Sequence, residues 1–159
     1  MINGFFDIQF RLEDLTQNGD PLVRLNERVD WEMFRPELEK IRQKERKSAA
    51  GRKQYDVVLM FKILVLQSLY NLSDDAVEYQ VRDRLSFMRF LGLGFGDRVP
   101  DAKTIWLFRE QLGQAKLVRR LFKKFDRYLR EQGFQARKGQ IVDVSIVSVP
   151  VQRNSRDEN

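Results

Sequence analysis

Apolar residues recur along most of this chain at the three- and four-residue spacing that is typical of α-helices. The segment VVLMFKILVLQSLYNL, residues 57–72, is apolar on almost every side, which predicts a helix at the centre of the core. Further helices are predicted over residues 5–16, 21–29, 74–84, 102–112 and 114–132, with short ones from Pro36 and around residues 87–91. Residues 5–16 also fit the alternation of a strand, and helix is the interpretation adopted. The pattern therefore predicts a mainly α fold.

Polar residues and glycines mark the ends of these helices. A side-chain oxygen that accepts a backbone N–H is favoured immediately before a helix, and glycine is favoured immediately after one. The predicted N-caps are Asp20, Asp30, Asp56, Ser73, Ser86 and Asp101. Gly113 is predicted to separate the last two helices, and Gly133 to end the second of them.

The periodicity changes after Gly133. The run IVDVSIVSV, residues 141–149, is rich in β-branched residues and has no helical stripe, which predicts a buried strand. Ten residues follow it, so we expect the strand to lack sheet partners and to present an unpaired edge. The predicted organisation is a helical domain over residues 1–133 and the incomplete start of a second domain over residues 134–159.

The composition narrows the chemistry that this chain can perform. It contains no Cys and no His, which excludes disulfides, imidazole or thiolate zinc sites, and every catalytic group built on those side chains. Twelve Phe, four Tyr and two Trp can fill a core. A cysteine-free chain without an apolar leader predicts a cytoplasmic protein. No segment has the roughly 18 consecutive apolar residues that a membrane span needs, so no membrane partner is expected.

Basic residues outnumber acidic ones by 29 to 23, which gives a net charge of +6. They concentrate in residues 40–53 and in the predicted helix 114–132. In that helix, positions 116, 120, 123, 127 and 130 share one face, whereas Val118, Leu121, Phe125 and Leu129 share another. A cationic face suits the phosphates of nucleic acid, but it is also typical of a surface that only contacts water.

The helix over residues 102–112 has two interpretations. Lys103, Thr104 and Arg109 near its exposed side fit a major-groove reader, whereas Trp106 fits a helix anchored in the core. Nine residues separate it from the preceding helix, too many for a compact helix-turn-helix, which favours packing. The candidate DNA contacts are Lys44, Arg46, Lys47, Arg52, Lys53, Lys103, Lys116, Arg120, Lys123, Lys124 and Arg127.

Asp143 is the one carboxylate within the predicted strand. Its neighbours are Ile141, Val142, Val144 and Ile146, and a buried unpaired carboxylate is costly. An outward-facing edge position or a pairing Arg would resolve this, and so would a divalent cation such as Mg²⁺, which prefers carboxylate oxygens. One carboxylate alone does not make a metal site.

Four long stretches resemble the N-terminal part of bacterial insertion-sequence DDE transposases of the fifth, InsH-like family. They are GDPLVRLNERVDWEMFRPELEK, YDVVLMFKILVLQSLYNLSDDAVEYQVRDRLSFMRFLGLG, VPDAKTIWLFREQL and GQIVDVSIVSVPVQRNSRDEN. The resemblance implies a multi-helix DNA-binding domain, followed by a ribonuclease-H-like α/β catalytic domain whose first strand carries the first acid of a DDE triad. That acid corresponds to Asp143, which the resemblance makes both a catalytic residue and a Mg²⁺ ligand.

The resemblance implies DNA transposition by Mg²⁺-dependent cleavage and strand transfer. The second Asp and the Glu of the triad have no counterpart in this sequence, so we expect a catalytically incomplete chain that binds no Mg²⁺ alone. The expected partners are double-stranded inverted-repeat ends and either a second copy or a full-length transposase, in the cytoplasm at the nucleoid. A truncated DNA-binding regulator of transposition, and a helical interaction domain without a nucleic-acid role, are the alternatives.

Overall fold

The computed structural model describes residues 4–42, 53–137 and 140–143. Its α-helices are α1 (Phe5–Gln17), α2 (Pro21–Arg28), α3 (Arg35–Leu38), α4 (Val57–Tyr70), α5 (Asp74–Asp83), α6 (Leu85–Leu91), α7 (Ala102–Gln114) and α8 (Val118–Glu131). Two 3-10 helices, Trp31–Phe34 and Glu39–Arg42, flank α3, and the strands β1 (Phe134–Arg137) and β2 (Gln140–Asp143) follow α8. The mainly α fold predicted from the sequence is confirmed for these residues.

Helix α4 lies at the centre of the core, as its uniformly apolar sequence predicts. Nine of its fourteen residues are buried, and they face several directions around the helix. The Asp56 carboxylate accepts the backbone N–H groups of Val58 and Leu59 at 3.0 and 3.1 Å, which satisfies two otherwise unpaired donors. Asn71 ends the helix in the left-handed conformation, with φ of 51°.

Aromatic side chains from α4 and three other elements pack against one another in the core. The rings of Phe34 and Phe61 lie 4.9 Å apart, Trp31 and Phe90 5.4 Å, and Trp31 and Phe125 5.7 Å between centroids. These contacts connect the first 3-10 helix to α4, α6 and α8. Aromatic pairs at such distances contribute about 0.5–1.5 kcal/mol each beyond the area that they bury. We call these five residues the aromatic cluster.

The predicted N-caps hold in all but one case. Asp20, Asp30, Ser73 and Asp101 accept a backbone N–H from the helix that follows each of them. The prediction for Ser86 is wrong, because α6 begins one residue earlier, at Leu85, and Arg84 precedes it without a side-chain cap. The apolar run Leu85, Phe87 and Met88 places the helix start ahead of the serine.

The predicted break at Gly113 is also wrong. Helix α7 continues to Gln114, and Lys116 adopts a left-handed φ of 56°. The N–H of Leu117 bonds to the Leu112 carbonyl at 2.9 Å, and that of Lys116 to the Gly113 carbonyl at 2.9 Å. Leu112 and Leu117 are both buried, and α7 ends at this Schellman pattern and not at the glycine.

Gly113 offers a simple stability test. A Cβ at this position would meet nothing within 4 Å, and the glycine lies inside a helix without a positive φ. We expect Gly113→Ala to raise the free energy of unfolding by about 0.5–1 kcal/mol, because alanine loses less backbone entropy on folding. Urea denaturation followed by circular dichroism measures the change. An unchanged or lowered midpoint would contradict this helical assignment.

The predicted strand begins at Gln140, and its residues 144–149 lie outside the described part of the chain. The expectation that it lacks a partner is wrong, because β2 pairs antiparallel with β1, with Phe134 opposite Asp143 and Arg137 opposite Gln140. Strand β1 was not predicted, since FQAR is too short to display an alternation. Phe134 is buried against the helical core, so the hairpin packs on the helices.

Helix α1 lies at the surface, where an arginine of α6 bonds to it. Arg89 on α6 donates to the Leu12 carbonyl and to the Thr16 hydroxyl at 2.8 Å each, and to the Asp20 carboxylate at 2.7 Å. The helix predicted for residues 5–16 is confirmed, although Phe6 and Phe10 are mostly exposed. Within the described ranges, no single helix is long and apolar enough to cross a membrane.

Candidate nucleic-acid interface

Helix α8 has an apolar face and a cationic face, as predicted. Leu121, Phe125 and Leu129 are buried against the core. The opposite side carries Arg119, Arg120, Lys123, Lys124, Arg127 and Arg130. Because the apolar residues fix the rotation of the helix, they also fix the direction in which this positive charge points.

Ion pairs divide the cationic face into two parts. Glu37 lies 3.2 Å from Nε of Arg120 and 3.2 Å from Nζ of Lys124, and Lys124 also donates to the Met33 carbonyl at 2.9 Å. Lys124 lies 5.4 Å from the centroid of the Phe34 ring as well. Glu37 therefore links both Arg120 and Lys124 to α3, and its one carboxylate balances one of their two positive charges.

The other part of this face is uncompensated. Lys123 and Arg127 are exposed, and no carboxylate among the described residues forms an ion pair with either. Arg119 is also exposed and has no ion pair with a described residue, whereas Arg130 pairs with Asp126 at 2.8 Å. We call Arg119, Lys123 and Arg127 the open face of α8. These three cations can contact phosphates without first breaking an ion pair.

The remaining candidate DNA contacts are spread over the molecule. Lys116 is exposed in the turn before α8, so the prediction that it belongs to the helical stripe is wrong. Lys103 is exposed on α7, and Lys53 is exposed shortly before α4. Lys44, Arg46, Lys47 and Arg52 lie outside the described residues.

Helix α7 packs as a core helix, and its Arg109 is paired with a carboxylate although it is partly exposed. The Arg109 guanidinium makes two parallel bonds of 2.7 Å to the Asp74 carboxylate, and Gln67 donates to the same carboxylate at 2.7 Å. Trp106 is 48% exposed, so the prediction that it anchors the helix is wrong. The buried residues are Ile105, Phe108 and Leu112, a spacing of three and four that the sequence already contains.

The Asp74–Arg109 pair should make the free energy of unfolding depend on pH in the acidic range. Hydrogen bonds from the Arg109 guanidinium hold the pKa of the Asp74 carboxyl below its usual range. A lowered folded-state pKa gives stability that is present above the unfolded pKa and is lost as the pH falls through the folded one. We expect Asp74→Asn to cost about 1 kcal/mol at pH 7, since the pair is partly exposed, and almost nothing near pH 2.

Urea denaturation of the wild type and of Asp74→Asn at pH 7 and at pH 2 measures this difference in stability. Asp75→Asn, on the same turn of α5, is the matched control, because Asp75 is exposed and makes no ion pair with any described residue. An Asp74→Asn effect of equal size at both pH values would show that the carboxylate charge is not what stabilises the helix contact.

A cleft of about 290 Å³ opens between α7, the second 3-10 helix and the segment before α4. Its lining includes Arg42, Lys53 and Arg98, and no Asp or Glu belongs to the described lining. We call it the basic cleft. Lys53 is a predicted interface residue, whereas Arg98 was not predicted, because it is isolated in the sequence and reaches the cleft only through the fold.

Asp143 is the last residue of β2 and the partner of Phe134 in the register. Among the residues with defined placement, no group of three or more Asp, Glu, His or Cys comes together in a way that could hold a metal ion. The roles of Asp143 in catalysis and metal binding stay predictions.

The chain matches a family model described as a transposase domain (DUF772) over residues 10–111. The chain belongs to this family. No solved structure matches the chain. Membership of a transposase-domain family suggests a role in transposition, and it implies an interaction with DNA in general.

The matched range of the transposase domain runs from within α1 to within α7. It contains every lining residue of the basic cleft and four members of the aromatic cluster. Helix α8, which supplies Phe125 and the open face, follows the match, as does the hairpin. The two cationic features therefore lie on different parts of the chain, one inside the matched domain and one after it.

Proposed function

We propose that this chain is the DNA-binding, N-terminal part of an InsH-like insertion-sequence transposase, and that it binds the double-stranded inverted repeats at the transposon ends. The observation that carries the proposal is the open face of α8, in a chain that belongs to a transposase-domain family. Arg119, Lys123 and Arg127 are exposed and uncompensated on a helix whose opposite side is fixed in the core.

The geometry of α8 supports a duplex partner. The helix spans fourteen residues, about 21 Å at 1.5 Å per residue, which is comparable to several phosphates along one strand. Cations on successive turns can follow that line of phosphates, while Glu37 keeps the helix attached to α3 through Arg120 and Lys124. Contacts of this kind position a protein on DNA without reading its sequence.

Sequence-specific recognition of an end needs contacts to base edges as well. Lys103 is exposed on α7 and Lys116 in the turn before α8, and both stay candidates for the interface. The phosphodiester chemistry of a complete transposase is attributed to a ribonuclease-H-like domain that contains Asp143, and this attribution rests on the resemblance alone. Binding is the activity that we assign to the described helices.

Fluorescence anisotropy with a labelled duplex tests the proposal. The duplex is the terminal inverted repeat of the insertion sequence that encodes the chain, and the control is a shuffled duplex of the same length and composition. We expect tighter binding to the repeat, by about tenfold or more, in line with specific over non-specific recognition. Equal affinity for both duplexes would contradict recognition of the ends, and no binding to either would contradict the DNA-binding role.

A further inference from the structure

The floor and the rim of the basic cleft differ in chemistry. Met60 and Phe108 are buried and form apolar surface, whereas Lys53, Arg98 and Leu107 are exposed. Gln54, Thr104 and Gln111 add neutral hydrogen-bonding groups to the lining. A ligand that fits this arrangement carries a negative group for the rim and a flat, largely apolar body with polar edges for the interior.

Arg98 is positioned without a carboxylate. Its guanidinium carbon lies 5.2 Å from the centroid of the Tyr55 ring, and Nη2 donates to the Tyr55 hydroxyl at 3.3 Å. That hydroxyl donates in turn to the Val99 carbonyl at 3.2 Å, which fixes the ring. The neighbouring Asp97 carboxylate accepts the Gly94 N–H at 2.7 Å and forms no ion pair with Arg98.

Neutral partners orient a cation but do not cancel its charge. Arg98 and Lys53 have no ion pair among the residues that the structure describes, so the rim of the cleft has a net positive charge. Tyr55 also connects the two sides of the cleft, because its backbone carbonyl accepts a hydrogen bond from Arg42. The result is a preorganised cationic rim, which is suited to a phosphate.

The volume restricts the ligand further. A cleft of about 290 Å³ lies at the lower end of the range for small-molecule sites, so it can hold one nucleotide but not a base pair. A base stacked within a duplex cannot enter such a space, whereas an unpaired one can, as in enzymes that act on extruded bases. Base edges can bond to side chains such as Gln54 and Gln111.

We propose that the basic cleft binds one unpaired nucleotide of a DNA strand, with its phosphate on Arg98 and Lys53 and its base over Met60 and Phe108. The inference deepens the proposed function and rests on it, because the strand belongs to the DNA that the domain engages. It adds a binding site for single-stranded DNA that is separate from the open face of α8.

The full chain and its variants test this proposal by fluorescence anisotropy. The probes are a labelled strand of ten thymidines and a labelled ten-base-pair duplex. Arg98→Gln removes the phosphate contact, and Leu107→Asp places a negative charge at the exposed rim without changing the core. Arg24→Gln is the matched control, since Arg24 is exposed on α2 and makes no ion pair with any described residue. Circular dichroism checks the fold of each variant.

We expect each cleft variant to weaken binding of the single strand by about tenfold, the size of effect typical of a charged hydrogen bond. Duplex binding should change by less than about twofold, and Arg24→Gln should leave both affinities unchanged. Single-strand affinities of both cleft variants equal to that of Arg24→Gln would overturn the proposal, and so would an equal loss on the duplex.

A competition measurement and the affinities of the wild-type chain distinguish the ways in which the proposal can fail. Thymidine 5′-monophosphate should compete with the strand only at much higher concentration, and competition at equal concentration would assign the cleft to free nucleotides. If the wild-type chain binds the duplex and the cleft variants lose nothing on the strand, only the cleft assignment fails. If the wild-type chain binds neither probe, the proposed function fails with it.

Discussion

Reversal of two charges on the open face of α8, in the double variant Lys123→Glu and Arg127→Glu, is expected to weaken binding of a transposon-end duplex by about a hundredfold or more. Both residues are exposed and have no ion pair among the described residues, so the substitutions break no contact that holds the fold. Each lost phosphate contact removes an attraction, and binding then releases fewer counterions from the DNA. Each new carboxylate also repels the phosphates of the DNA backbone. Fluorescence anisotropy at fixed salt measures the loss.

The matched control reverses two exposed arginines elsewhere, Arg11→Glu and Arg24→Glu. Both variants change the net charge by the same amount, and neither control residue makes an ion pair with any described residue. We expect the control to retain duplex affinity to within about fivefold, because only long-range attraction changes. An equal loss in both double variants would show that net charge, and not the face of α8, governs binding.

Removal of the central ring of the aromatic cluster is expected to give the largest loss of stability. Phe61 is fully buried on α4, and its ring contacts those of Trp31, Phe34, Phe122 and Phe125. Phe61→Ala should lower the free energy of unfolding by about 3–5 kcal/mol, because it removes buried apolar area and leaves a cavity. A loss of this size is a large fraction of the 5–15 kcal/mol that holds a typical domain together.

Urea denaturation of the wild type and the variant measures this loss, with Tyr79→Ala as the control. The Tyr79 side chain is 67% exposed, so its truncation should change stability by less than about 0.5 kcal/mol. A Phe61→Ala loss below about 1 kcal/mol would mean that the rings do not form the packed cluster, and that α4 is not the centre of the core.

Most of the helical architecture could be predicted from local signals. The run of apolar residues that makes α4 central, and the acids and Ser73 that cap its neighbours, act within a few residues of sequence. The end of α7 was not predicted, because a left-handed turn at Lys116, closed by the hydrogen bond from the Leu117 N–H to the Leu112 carbonyl, ends the helix after Gly113. Strand β1 was missed because four residues carry too little pattern.

The candidate interface was predictable only in part. The spacing of basic residues on α8 indicated a cationic face, but not which of them Glu37 compensates, since that glutamate lies more than eighty residues earlier in the chain. The pairing of Arg109 with Asp74, and the position of Arg98 over Tyr55, depend likewise on contacts between distant segments. Sequence shows where charge occurs, whereas the fold decides which charges stay available to a ligand.

The central claim is that this transposase-domain protein binds DNA through uncompensated cations. The most direct test is the affinity of the wild-type chain for a transposon-end duplex, measured over a range of salt concentrations. Five cations are exposed without an ion pair in the described structure: Lys103, Lys116, Arg119, Lys123 and Arg127. Because each neutralised phosphate contributes about −0.9, we expect log affinity to fall against log salt with a slope of about −3 to −4.5. A slope near zero, or no binding at low salt, would contradict the account.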